Sequence, residues 1–217
     1  MTISKTVNRH DHVPPGYYQK AIKTNPLQAF WHGRRFQEIS KIIEPVNGNV
    51  LDIGSCDGTF SQVIIEKTKA NKLIGIDVVS SLVKYAQKRF KGDNRFEFLV
   101  ANGETLPFKD NQFKAVFCLE ALEHIDNPRN VIQESFRVTK SGGYLIILIP
   151  TDSLLFKILW WIVLHTWGKH WQETHVNSFQ QTGSLSKLLT SAGYRIELDN
   201  KFLWNMLEVV KARKSEM

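Results

Sequence analysis

Cysteine is scarce in this chain: there are two among 217 residues, Cys56 and Cys118. That is too few for a disulfide framework, and both are read as reduced thiols of a cytoplasmic protein. Residues Met1 to Pro15 are polar and lack the apolar core of a signal peptide. No apolar run reaches the roughly 20 residues that a membrane-spanning helix needs. Internal repeats and low-complexity segments are absent, so solenoid and disordered architectures are excluded. Acidic residues are in deficit, 21 against 28 lysines and arginines, for a net charge of +7. The basic residues are dispersed, with the densest groups at Lys84, Lys88, Arg89 and Lys91 and at Lys211, Arg213 and Lys214. No RNA-binding module signature accompanies them, which argues against a nucleic-acid partner. A basic surface open to solvent or to an anionic membrane remains.

The length and the 42% apolar fraction suit one globular domain with additions. After a polar start, Tyr17 to Ile43 reads as helical, broken in two by Pro26. Strands and helices then alternate. Strands are predicted at Val50–Ile53, Lys72–Asp77, Arg95–Val100, Ala115–Glu120 and Tyr144–Ile149. Helices are predicted at Thr59–Thr68, Ser80–Phe90 and Pro128–Val138, the last stopped near Ser141-Gly142-Gly143. This order implies a mostly parallel sheet covered by helices on both faces. A final helix, Ser184–Ala192, precedes two β-like runs, Tyr194–Leu198 and Trp204–Val210. With no helix between them they predict an antiparallel hairpin at the sheet edge.

The most informative stretch is Val50-Leu51-Asp52-Ile53-Gly54-Ser55-Cys56-Asp57-Gly58. An apolar strand ends in a glycine-punctuated turn and then a helix, the geometry that a nucleoside ligand needs. The spacing is not G-x-G-x-x-G, and Asp52 at the strand end would repel a pyrophosphate. A carboxylate there suits a nucleoside that carries a positive charge, namely S-adenosylmethionine (SAM). Gly54 and Gly58 let the backbone approach the ligand. A second acidic residue, Asp77, closes the next strand about 20 positions on, where a carboxylate can accept both ribose hydroxyls.

With Asp52 to Gly58 similar to D-x-G-x-G-x-G, and with Asp77 behind it, the chain resembles the class I SAM-dependent methyltransferases. Within them it resembles the small-molecule branch of ubiquinone and menaquinone biosynthesis enzymes. The resemblance covers about residues 46–210 and implies a doubly wound, Rossmann-like α/β fold with a seven-stranded, mostly parallel sheet. The cofactor implied is SAM, leaving as S-adenosylhomocysteine. Cys56 replaces the family's middle glycine, and Ser55 shares the loop. Asp52 would face the methionine amino group, and Val78 would pack on the adenine face. The segment Val100 to Phe108 resembles a G-D-A-E-x-L-P-F loop, in which Asn102 takes the position that contacts the adenine amino group. Gly103 could offer its N–H to the ring.

After the fourth strand, Cys118-Leu119-Glu120-Ala121-Leu122-Glu123-His124 would lie under the reactive methyl group. Leu119 would line the SAM pocket. Glu120 and His124 are the catalytic candidates, four apart and so on one face if the segment is helical; a histidine can take a proton near neutral pH. Glu120-x-x-Glu123-His124 also resembles the divalent-cation motif of certain O-methyltransferases, although no metal ligand is assigned. The N-P-P-[YFW] motif of amine methyltransferases is missing, which favours an oxygen or carbon acceptor. His170 and His175 are secondary candidates.

Residues 1–45 are expected to form a helical cap, and residues 151–177 an apolar insertion in the methyltransferase domain. From Ser153 to Trp167 nearly every residue is apolar. The segment could be a core helix, a lid over an apolar substrate or an interfacial helix in peripheral contact with a membrane. A lipid, polyprenyl or quinone-like acceptor would suit such a cover. Methylation of RNA or protein, and SAM binding without catalysis, are the alternative functions.

Overall fold

The computed structural model describes residues 14–151, 153–165 and 185–216. Two helices open it, α1 (Tyr17–Thr24) and α2 (Pro26–Ile42). Pro26 divides them as expected, and Asn25 caps α2 by accepting from the N–H groups of Leu27 and Gln28. The alternating region follows as β1 (Asn49–Ile53), α3 (Thr59–Thr68), β2 (Lys72–Asp77), α4 (Ser80–Arg89), β3 (Phe96–Val100) and β4 (Phe113–Leu119). A short 3₁₀ turn (Leu122–His124), α5 (Pro128–Val138), β5 (Thr139–Pro150) and α6 (Leu154–His165) come next. The described chain ends with α7 (Leu185–Ser191), β6 (Tyr194–Phe202) and β7 (Leu207–Lys214).

The seven strands form one sheet in the order β3-β2-β1-β4-β5-β7-β6. The first five are parallel, and β7 runs antiparallel to both β5 and β6. This is the Rossmann-like sheet with a C-terminal hairpin that the element order implied. Side-chain alternation along the central strands feeds two cores. Leu51, Ile53, Val116 and Cys118 face one, with Val131 and Ile132 of α5 and Leu189 of α7. Val50, Ala115, Phe117 and Leu119 face the other, with Ile39 of α2, Ile64 and Ile65 of α3 and Phe156 of α6. Coverage on both faces explains why these strands are continuous apolar runs.

Three local expectations are corrected. The Ser141-Gly142-Gly143 segment does not stop α5; it lies inside β5, which starts at Thr139. The helix ends because Thr139 turns to extended backbone while its hydroxyl donates to the Ser135 carbonyl at 2.6 Å. The last strand begins at Leu207, not Trp204, since Leu203, Trp204 and Asn205 take positive φ in the connecting turn. Finally, Lys211, Arg213 and Lys214 are not an open basic patch. Lys211 and Arg213 pair with Glu44, Arg213 also with Glu197, and the Lys214 ammonium donates to the carbonyls of Phe136 and Thr139. Among the described residues no helix is long and apolar enough to cross a membrane.

Candidate functional site

Strand order reverses between β1 and β4, because the chain crosses to β2 and β3 on one side and to β5 on the other. Ligands of open parallel sheets bind outside the carboxyl ends of the strands at such a point. A cavity lies there, bordered by Gly54 and Cys56 after β1, Asp77 at the end of β2, Asn102 after β3, and Glu120 and His124 after β4.

The loop after β1 is held by the neighbouring strand. The N–H groups of Gly54 and Ser55 both donate to the Ile76 carbonyl, at 2.8 and 2.9 Å. Gly54 has φ +75°, and a Cβ there would stand 2.3 Å from the Ala121 Cβ. Glycine is therefore required both by conformation and by the close approach of the loop after β4. Cys56 also sits in the left-handed region, at φ 49°, which explains why a glycine suits this position. Its N–H donates to Asp77 Oδ2 at 3.0 Å, while Asp77 Oδ1 accepts from Val79 N–H at 2.9 Å. Asp77 thus joins the two strand-end loops. Its carboxyl is raised above the usual range by burial, and the backbone donors partly offset this.

Asp52 is placed differently from the cavity-facing groups. It is 1% exposed, and the Ser61 hydroxyl donates to its Oδ2 at 2.6 Å. Burial raises its pKa to about 7, the Ser61 hydrogen bond opposes this, and the Asp77 charge adds to it. Ser55, Gly58 and Leu119 also stand back from the cavity wall. Ser55 and Leu119 are buried, and Gly58, at φ 77°, precedes the first turn of α3. Val78 and Gly103 do line the cavity. Asn102 Oδ1 accepts from Glu104 N–H at 2.9 Å, which fixes the loop after β3 and leaves the oxygen a second lone pair.

Glu120 and His124 share the cavity wall but not one face of a helical turn. Glu120 has φ 53°, outside any helix, and only Leu122–His124 form the 3₁₀ turn. The left-handed residue turns the chain out of β4 and brings both side chains to the cavity by another route. Arg35 of α2, 4% exposed, places Nη2 2.5 Å from Glu120 Oε2. Burial raises the Glu120 pKa and the Arg35 charge opposes it. Glu123 is buried beside them, its Oε1 3.8 Å from His124 Nε2, and its carboxyl is pushed well upward by burial and then by Glu120. Among the described residues no group of three His, Cys, Asp or Glu is placed to hold a metal ion.

Sequence reasoning missed two residues of this site. Tyr18 of α1 borders the cavity, and Arg35 of α2 pairs with Glu120 in its wall. Neither belongs to a strand-end motif; the hint was only that the helical start would cap the site. His32 packs edge-on to Tyr18, with its pKa driven down to about 2 by burial and by Arg35, so it is neutral at any working pH. His170 and His175 lie outside the described residues.

Residues 51–147 match the family described as "Methyltransferase domain". The stretch from β1 into β5, which takes in the loops that border the cavity, is by this match a SAM-dependent methyltransferase domain. An uncharacterised protein of Methanocaldococcus jannaschii is 37% identical over 112 residues, 51% of this chain and 49% of that protein. The ubiquinone/menaquinone biosynthesis C-methyltransferase UbiE of Desulfotalea psychrophila is 31% identical over 136 residues, 63% of this chain and 54% of its own. The matched chain spans about half the length of such curated relatives. In fold, a SAM-dependent methyltransferase of Thermotoga maritima superposes with a TM-score of 0.72 at 18% identity, covering 97% of this chain and 100% of that one.

Proposed function

We propose that this chain transfers the methyl group of SAM to an oxygen or carbon atom of a small, apolar acceptor. One observation carries the reading. A single cavity runs from Asp77 and Asn102, polar groups suited to a nucleoside, to Tyr18, Glu120 and His124, groups suited to an acceptor. The donor set fits SAM: Asp77 at the end of β2 with Asp52 buried behind the neighbouring loop, an amide oxygen after β3, and a loop in which Gly54 leaves no room for a side chain.

In this reading Asp77 accepts from the ribose hydroxyls and Asn102 from the adenine amino group. Val78 packs on the ring, Gly103 offers its N–H, and Gly54, Ser55, Cys56 and Gly58 shape the loop. Asp52 supplies negative charge toward the methionine ammonium, and Leu119 supports the floor. Bound SAM supplies an electrophilic methyl group and leaves as S-adenosylhomocysteine. The protein's task is then to align the acceptor and to remove its proton. His124, with Glu120 beside it, is the group we assign to that removal. Arg35 keeps the Glu120 carboxylate in place.

The acceptor class rests on what covers the site. Residues 14–45 act as a cap through α1 and α2, and the acceptor end of the cavity is walled by Ala121 and Ile125 as well as Tyr18. The UbiE relative is named for the biosynthesis of ubiquinone and menaquinone, compounds of the same apolar kind. The test has two stages. Calorimetry should detect SAM and S-adenosylhomocysteine binding; its absence would end the proposal. Radiolabelled methyl transfer to separated lipid, RNA and protein fractions should then label the lipid fraction, and label in RNA or protein would replace the acceptor assignment.

A further inference from the structure

We infer that α6 docks the protein on an anionic lipid surface, lying flat in the interface. On a wheel of 3.6 residues per turn, Trp161, Leu154, Ile158, Ile162, Leu155 and Leu159 occupy an arc of about 160° in which His165 is the one polar residue. All six are exposed, Leu154 by 74%, Trp161 by 61% and Ile158 by 50%. Phe156, on the opposite side, is buried in the core cluster that also takes Trp160 and the α2 residues Trp31 and Ile39. The helix is therefore anchored by a narrow stripe and presents a much wider apolar one. A helix that is apolar nearly all round is normally buried, and an exposed patch of this kind marks an interaction surface. α2 adds two more exposed apolar side chains, Leu27 and Phe30.

Charge identifies the occupant. Helices α1, α2 and α6 hold six lysines and arginines, Lys20, Lys23, Arg34, Arg35, Lys41 and Lys157, against one acidic residue, Glu38. They thus carry five of the chain's seven net positive charges. Arg35 is turned inward to Glu120, but Lys20, Lys23, Lys41 and Lys157 are exposed. Lys157 borders the apolar arc next to Trp161 on the wheel, the arrangement by which a lysine reaches headgroups while its neighbour enters the acyl boundary. An anionic bilayer complements both the arc and the charge. A second copy of the chain would cover the arc but would bring two basic surfaces together. The 12 residues of α6 extend about 18 Å, well short of a roughly 30 Å hydrocarbon core, so the helix lies along the surface. It leaves the carboxyl end of β5, on the sheet edge that bears the cavity.

The inference needs no assumption about methyl donor or acceptor. The experiment is sedimentation with vesicles of phosphatidylcholine alone and of phosphatidylcholine mixed with phosphatidylglycerol. Binding to the mixed vesicles is expected to be at least about tenfold stronger and to weaken with salt. Ile158→Glu with Trp161→Glu should reduce it by about tenfold or more, with an unchanged circular dichroism spectrum as the check on folding. Lys20→Ala, Lys23→Ala and Lys157→Ala together should reduce binding to the mixed vesicles only. The docking role is overturned by absence of binding, by equal binding to both vesicle types, or by full binding of the double glutamate variant. It is also overturned if light scattering finds a dimer, without vesicles, that the same variant dissolves. Methyl transfer measured on the same samples stands or falls separately.

Discussion

The Arg35 guanidinium lies 2.5 Å from the Glu120 carboxylate and ties the N-terminal helix pair to the end of β4. The guanidinium also rests 5.2 Å from the centre of the Phe60 ring, so the cap, α3 and the cavity wall meet at this one side chain. Replacing Arg35 by methionine would leave Glu120 without its cation. Denaturant unfolding should show a loss of about 3 kcal/mol, the lower end for removing one partner of a buried pair, because Glu120 keeps some solvent access. Arg35→Lys should restore part of it. If neither variant shifts the unfolding midpoint, the pair does not hold the cap.

Asp77 has two duties that separate on substitution. Asp77→Ala removes the acceptor of both Cys56 N–H and Val79 N–H as well as the proposed ribose partner. SAM affinity measured by calorimetry should fall about 100-fold, close to 2.7 kcal/mol. Asp77→Asn keeps one oxygen and should lose less. An alanine variant that binds like the parent would remove Asp77 from the cofactor site.

The Asp52 pKa of about 7 predicts a pH dependence for the proposed cofactor site. A folded value above the unfolded 3.8 means that the folded protein holds this proton more tightly. The contribution to stability is therefore present at acid pH and is lost as pH rises through about 7. A cationic ligand favours the ionised form, so SAM affinity should be full above pH 7 and fall below it, approaching about tenfold per pH unit. Asp52→Asn should flatten this slope. Calorimetric titrations between pH 5.5 and 8, about the range in which the group titrates, decide it; an unchanged slope in the variant would assign the dependence elsewhere.

Two positions of the loop after β1 should respond unequally. Gly54→Ala forces a Cβ to 2.3 Å from the Ala121 Cβ at φ +75°, so it should destabilise the protein by more than about 2 kcal/mol and impair SAM binding. Cys56→Gly relieves a left-handed non-glycine residue and should leave stability within about 1 kcal/mol, since the greater freedom of glycine in the unfolded chain offsets the relief. Thermal unfolding of the two variants is the check. Equal losses would mean that the Ala121 contact is not what constrains the loop.

The parallel order and the strand-end motifs were legible because each rests on local pattern. The apolar runs of β1, β2 and β4 demand burial on both faces, and a glycine or carboxylate at their ends marks a loop whatever lies around it. Asp77 and Asn102 were found this way, and the structure sets both at the cavity. The helical reading of Glu120 and His124 failed, because spacing alone cannot reveal that Glu120 leaves β4 in the left-handed region. The lysines and arginine of β7 looked like surface charge until Glu44 and the carbonyls around them were brought close. Arg35 and Tyr18 were hidden for the same reason: nothing near Arg35 in the chain signals its pairing with Glu120, 85 residues on, and nothing near Tyr18 marks it as part of the cavity wall. Local sequence thus determined the strands, the turns and the polar groups that line the cavity, whose chemistry lies within a few residues of each strand end. Tertiary packing alone decided which distant side chains meet them, because the pairing of Arg35 with Glu120, the withdrawal of Asp52 behind Ser61 and the exposure of α6 depend on how the helices settle against the sheet.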